Sequence, residues 1–280
     1  MPCSRHARFS TTFLAIAAIA LLAAFLPVQI VSAITQDSRS LTPLQLEIEK
    51  QKNRLSSVDT EERRDAVTRL RALRHPEASR AAVAGLSDAS AIVRATAAGA
   101  VLSLPGEESA LALQPLLNDK DEFVRQETAY ALGKTRSRAM VAPLIQLLGK
   151  EKKDGVRAAI VVALGEIGDE AAVVTLAQVL RPELAVTVSK KKNKKTDNVM
   201  VLRAAAHSLG QIRNRAAVPA LIAALEDEQA ESDIRREAAR ALGAIADPSA
   251  IGALRLASQS QDPYLSEIAY HAMLRLRLVQ

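Results

Sequence analysis

A single cysteine, Cys3, serves all 280 residues, tryptophan is missing, and aromatic side chains make up only 2% of the chain. Beyond Cys3 there is therefore no disulfide, no thiolate metal ligand and no cysteine nucleophile. Past residue 33 the aromatics reduce to Phe123, Tyr130, Tyr264 and Tyr270, too few for the stacking platforms that single-stranded nucleic acids and sugars require. Histidine is nearly as scarce: past residue 33 only His75, His207 and His271 remain, far apart in the chain, and each is read as an isolated side chain and not as one of a set of metal ligands. Gly-x-Ser-x-Gly does not occur and the glycines come singly, which excludes a nucleophile elbow and a glycine-rich phosphate loop. These absences give the expectation of a chain with no catalytic residue, no cofactor and no metal site, and so not an enzyme.

Period-two alternation is also lacking, except near residue 185. What fills the chain instead is Ala, Leu and Val, in apolar positions that recur at helical spacing. Ala and Leu are strong helix formers, and small side chains let helices approach closely. The fold class is all-α.

The N-terminus has the pattern of an export signal. Arg5 and Arg8 form a positive n-region, Phe13 to Leu26 an unbroken apolar run, and Val31-Ser32-Ala33 a small-residue cleavage site before Ile34. Residues 1–33 are thus expected to be a signal peptide and the protein exported, periplasmic or secreted; an uncleaved membrane anchor over 13–31 is the alternative. Removal of Arg5 and Arg8 leaves 35 basic residues against 31 acidic ones. Five of the 35 are Lys190, Lys191, Lys192, Lys194 and Lys195. The high isoelectric point therefore describes one loop and not a basic surface, and no specific nucleic acid is implied.

From residue 42 the chain is helical in pattern. Thr42-Pro43-Leu44-Gln45 combines a capping threonine, a proline suited to the first helical position and a capping-box glutamine. Residues 34–56 read as an N-terminal capping helix. A repeat of about 31 residues follows: Val93-Arg94, Val124-Arg125, Val156-Arg157 and Ile234-Arg235, with Gly133, Gly165 and Gly243 eight positions after the last three arginines. Gly210 falls between, and apolar runs end at Leu117, Leu148, Leu180 and Leu225. A repeat so short cannot bury its own apolar face, so it stacks on its neighbours. Residues 57–280 are expected to form six helix pairs and a terminal helix, with the glycines acting as helix stops.

Val-Arg-x-x-x-Ala-x-Ala-Leu-Gly (Val124 to Gly133), Ala-Leu-Gly-Glu-Ile-Gly-Asp (Ala163 to Asp169) and Ala-Val-Pro-Ala-Leu-Ile-x-x-Leu (Ala217 to Leu225) resemble HEAT repeats, in particular the short type named after phycobilisome lyases. The resemblance covers about 57–280 and implies an α-solenoid, a superhelix of antiparallel helix pairs. It also implies a ladder of Asp and Arg between repeats, onto which Asp88, Arg94, Asp119, Arg125, Arg157 and Arg235 map, with Glu151 in the acidic place beside Arg157 and Leu202 where an arginine is due. Hydroxylases of this family use paired His-Glu motifs, and this chain contains no His-Glu dipeptide. The second helices are expected to line a smooth groove of small residues.

One interval breaks the period. Gly165 to Gly210 is 45 residues, and the excess lies in 181–201, where Leu184, Val186 and Val188 alternate, the lysine run follows, and Val199, Met200 and Val201 close the segment. Two β-prone arms around a polar tip suit a hairpin or a loop. The functional expectation is an exported, non-catalytic scaffold for protein–protein contacts in a bacterial cell envelope, monomeric, its protein partner unidentified. The alternatives are an enzyme or lyase-like protein on the same array, and a polyanion or membrane-surface binder that uses Lys190, Lys191, Lys192, Lys194 and Lys195.

Overall fold

The computed structural model describes residues 41–180 and 199–278. Residues 1–33, expected to be a signal peptide, and the lysine run lie outside the described residues. Two compact units are distinguished, residues 1–47 and 48–280. All regular structure among the described residues is helical.

Helix α1 is Pro43–Arg54. The capping box closes at its start, with the Gln45 N–H donating to Thr42 Oγ1 at 3.2 Å and the Thr42 N–H to Gln45 Oε1 at 3.0 Å. Six helix pairs follow: α2 Thr60–Ala72 with α3 Pro76–Ala82, α4 Ala91–Ala100 with α5 Gly106–Leu113, α6 Glu122–Thr135 with α7 Val141–Lys150, α8 Asp154–Ile167 with α9 Val173–Leu180, α10 Val199–Ile212 with α11 Val218–Glu226, and α12 Ser232–Ile245 with α13 Ile251–Ala257. The last helix, α14, is Pro263–Leu278. Even-numbered helices are the first of each pair and pack on one another along the array; from α5 onward each second helix packs on the first helix of the following pair. The array is an α-solenoid.

The core follows the repeat. Leu132, Leu164, Leu209 and Leu242 stand in the last turn of the first helices, and Leu144, Leu176, Leu221 and Leu254 answer them from the second; all are fully buried. Burying one such side chain contributes about 1.5–3 kcal/mol, and because each face is completed by the next pair, the contribution exists only in the stack. On α14 the buried stripe runs Leu265, Ala269, Met273 and Leu276, and Leu274, off that stripe, is only half-buried.

Two expectations need correction. Gly133, Gly165, Gly210 and Gly243 do not stop helices; each lies inside a first helix and is buried. A Cβ added at Gly133 would stand 2.8 Å from Ala163 Cα, and one at Gly243 3.0 Å from Ala272 Cα. The glycine is needed for close approach of successive first helices, not for a turn. The stop comes three residues later, in the left-handed backbone of Arg136 (φ 53°), Gly168 (73°), Arg213 (58°) and Ala246 (58°).

The second correction concerns the long interval. Val199, Met200 and Val201, expected as a β-prone arm, form the first turn of α10. The stack closes across the insertion, with the buried Ser208 hydroxyl donating to Val161 O at 2.9 Å between α10 and α8. The extra residues therefore leave the first-helix packing intact.

Candidate functional site

Along one edge, arginine forks tie each pair to the next. The guanidinium of Arg63 donates to Asp88 at 2.7 and 2.9 Å, that of Arg94 to Asp119 at 2.7 and 2.9 Å, and that of Arg125 to Glu151 at 2.8 and 3.2 Å. Each arginine thus reaches the acid of the following repeat, not the acid six residues before it. To its own repeat it gives Nη1: Arg94 Nη1 donates to the Asp88 and Ala89 carbonyls at 2.8 and 3.0 Å. The Arg63 and Arg94 hydrogen bonds hold the Asp88 and Asp119 carboxyls below the ordinary range. Burial pushes Glu151 up, but Arg125 and the Lys153 and Lys152 N–H groups outweigh it and hold that carboxyl low too.

The edge changes further along. Arg157 Nη1 donates to the Leu148 and Glu151 carbonyls at 3.0 and 3.3 Å, and Arg235 Nε to Leu225 O at 3.0 Å. In the sixth pair the fork moves one residue, to Arg236, which holds Asp262 at 2.9 and 3.0 Å and stacks over Tyr264, 5.1 Å from its ring centre.

The face of the second helices, expected to form the groove, carries exposed Pro115, Gln146, Gln178 and Leu256, but the clefts open elsewhere. Three are lined by first helices, and they run together: one shares Tyr130 with the next, which shares His207, Glu237 and Arg240 with the third. The physical reason is the register. First helices bring glycine and alanine against their neighbours, so their outer side chains diverge and leave hollows over a small-residue floor.

The third cleft, of about 880 Å³, lies over α10, α12 and α14, with Gly210, Ala241, Gly243 and Ala272 at its floor. His207 stands on the exposed face of α10, opposite buried Val201, Ala205 and Leu209. Its Nδ1 lies 2.8 Å from Glu237 Oε1 of α12, and Arg240 Nη1 donates to Glu237 Oε2 at 3.0 Å. The Glu237 side chain is 14% exposed, the His207 side chain 54%. With the carboxylate ionised, the contact requires the imidazole proton on Nδ1, which makes Nε2 the acceptor. Such a carboxylate–imidazole pair can take and return a proton. The sequence showed His207 without a partner because the partner is 30 residues away, on the first helix of the next repeat and one turn before the position in register with His207.

Among the described residues no group of three or more His, Cys, Asp or Glu side chains is placed to hold a metal ion. His75 caps α3, its Nδ1 accepting from the Glu77 N–H at 3.3 Å, and His271 lines the third cleft. Among the described residues, too, no helix is long and apolar enough to cross a membrane.

A family model described as HEAT repeats matches residues 48–133, 111–187 and 193–273. The fold and this match together place the chain in the HEAT repeat family. Within that class, the deoxyhypusine hydroxylase of Gallus gallus is 44% identical over 75 residues, which is 27% of this chain and 25% of that protein. The Homo sapiens deoxyhypusine hydroxylase is 34% identical over 84 residues, 30% of this chain and 27% of its own length. The matched stretch spans about a quarter of the length of these curated relatives. A solved engineered protein is 22% identical with a TM-score of 0.52, covering 82% of this chain and 68% of its own, a likeness of fold alone. The relatives are enzymes by name, which overturns the expectation of a non-catalytic scaffold and of a chain that is not an enzyme. The absence of local motifs did not exclude such chemistry, because side chains on adjacent repeats, such as His207 and Glu237, can meet without a local signature.

Proposed function

We propose that this chain is an enzyme built on a HEAT array, with the cleft over α10, α12 and α14 as its substrate site. The 2.8 Å contact between His207 Nδ1 and Glu237 carries the reading. Glu237, itself held by Arg240, orients the imidazole and stabilises its protonated form, while Nε2 takes a proton from substrate and later returns it. The kinship to named hydroxylases supports catalysis on this array. It does not fix the reaction: among the described residues no three His, Cys, Asp or Glu side chains are placed to hold a metal ion, and no step is assigned to a metal.

The test is product formation by the full chain. Wild-type protein and His207→Ala are incubated with a small-molecule extract of the native host and, separately, with a deoxyhypusine-containing protein, and products are read by mass spectrometry. A positioned acid–base group contributes about 10²–10⁴ in rate. A compound consumed by wild type should be turned over at least about a hundredfold more slowly by His207→Ala and by Glu237→Gln, and the double variant should be no worse than either. Equal turnover by wild type and His207→Ala would remove the pair from any catalytic role.

Export is a separate proposal, resting on residues 1–33. Edman sequencing of protein from the native host should begin at Ile34 or within a few residues. An intact Met1 in a soluble cytoplasmic fraction would end it.

A further inference from the structure

We infer that the cleft over α10, α12 and α14 binds a small dianionic ligand, its phosphate or paired carboxylate oxygens held between Arg213 and Arg275. The inference deepens the catalytic reading of this cleft by naming the substrate class. It starts from a count of which charges are already satisfied. Glu237 is already engaged, accepting from His207 Nδ1 at 2.8 Å and neutralised by Arg240 at 3.0 Å. Neighbouring arginines are committed as well: Arg236 holds Asp262, and Arg203 faces Asp233 at 4.0 Å. Arg213 and Arg275 line the same cleft and, among the described residues, neither meets a carboxylate. Glu267 is the one lining acid left to set against them.

Two guanidinium groups over a floor of glycine and alanine offer planar forks that match carboxylate and phosphate geometry. The small floor lets a ligand sit close to backbone, and about 880 Å³ is the size of a small-molecule site. A bound anion would lie in the same hollow as the His207 imidazole, where the proton acceptor is needed.

Arg213 has left-handed backbone, φ 58°, as do Arg74 and Arg136. Arg213→Gly therefore removes the guanidinium while easing the backbone, so loss of binding is not confused with loss of fold. The experiment is isothermal titration of the full chain with inorganic phosphate and with succinate, at constant ionic strength in chloride. Saturable one-site binding of at least one probe is expected, and the stronger of the two distinguishes phosphate from carboxylate as the natural group. Arg213→Gly and Arg275→Gln should each weaken it about tenfold, with melting temperatures no lower than wild type. A variant with Lys190, Lys191, Lys192, Lys194 and Lys195 changed to Gln should bind as wild type does. No saturable binding of either probe, unchanged binding in both arginine variants, or loss in the lysine variant alone would each overturn the clamp. Because binding is read without turnover, failure here leaves the His207–Glu237 reading to its own assay, and failure there leaves the clamp standing.

Discussion

Between α2 and α8 the arginines of the first helices are spent on structure: Arg63, Arg94 and Arg125 are sunk to 10–15% exposure and their acids to 6–10%. Between α10 and α14 the arginine register of α10 holds Leu202, its neighbour Arg203 is 56% exposed and 4.0 Å from Asp233, and His207 pairs with Glu237 in a cleft. The apolar repeat does not change across this divide, since Leu132 and Leu242 are equally buried. What changes is the polar ring around it. In an array whose stacking is supplied by leucine and alanine, charge is free to differ from repeat to repeat, and it is there that one region becomes a site while another stays a scaffold.

The comparison is broken most severely at the shared core. Leu132→Ala and Leu242→Ala should each cost about 3–4 kcal/mol, measured by urea unfolding. If stacking is common to both regions, the two costs agree within about 1 kcal/mol. Hydrogen exchange should show loss of protection spreading from the mutated pair into its neighbours. A loss confined to one pair would show that the repeats are not coupled.

The charged edge should separate the regions. Arg94→Ala leaves Asp119 buried without its fork and is expected to cost about 3 kcal/mol. Arg203→Ala removes an exposed contact and should change stability by no more than about 0.5 kcal/mol. Equal costs would mean that burial at the edge has no energetic meaning.

Acid sharpens the same contrast. The Asp88, Asp119 and Glu151 carboxyls are held low in the folded chain by their arginines, so they bind protons more weakly folded than unfolded. Their contribution is complete above the unfolded carboxylate values of about 4 and is lost as pH falls through the lower folded values. The melting temperature should be level from about pH 7 to 5 and fall below about pH 4. Arg94→Ala should flatten that fall, because Asp119 then has no depressed value to lose. An identical acid profile in the variant would take the ladder out of the pH dependence.

How far these differences could be read from sequence depends on their range. The period of Leu, Arg and Gly is local and announced the helix pairs, and the capping box at Thr42 and Gln45 announced α1. Long-range choices were hidden. The arginine forks reach 25 or 26 residues forward, so pairing Asp88 with Arg94 by proximity in sequence named the right groups in the wrong register. Gly133 looked like a stop because a glycine near a helix end usually is one; only the 2.8 Å approach to Ala163 shows otherwise. Glu237 sits one repeat from His207 and one helical turn out of step with it, so no motif search on a single helix could join them.

The smallest effect concerns the helix ends, where the two regions should behave alike. Arg136 closes α6 on the ladder side and Ala246 closes α12 on the cleft side, both in left-handed backbone at φ 53° and 58°. A side chain there crowds its Cβ against the carbonyl, at about 1 kcal/mol relative to glycine, and Gly168 at the end of α8 avoids it, with φ 73°. Arg136→Gly and Ala246→Gly should each raise stability, by up to about 1 kcal/mol, less what glycine costs in the unfolded chain. Gly168→Ala should lower it by a similar amount. Arg136 is exposed and its guanidinium meets no acid among the described residues, so its loss should not hide the gain. A gain at Ala246 but none at Arg136 would mean that the arginine stabilises the ladder side through its side chain, and the division of charge between the two regions would then reach to the helix caps as well.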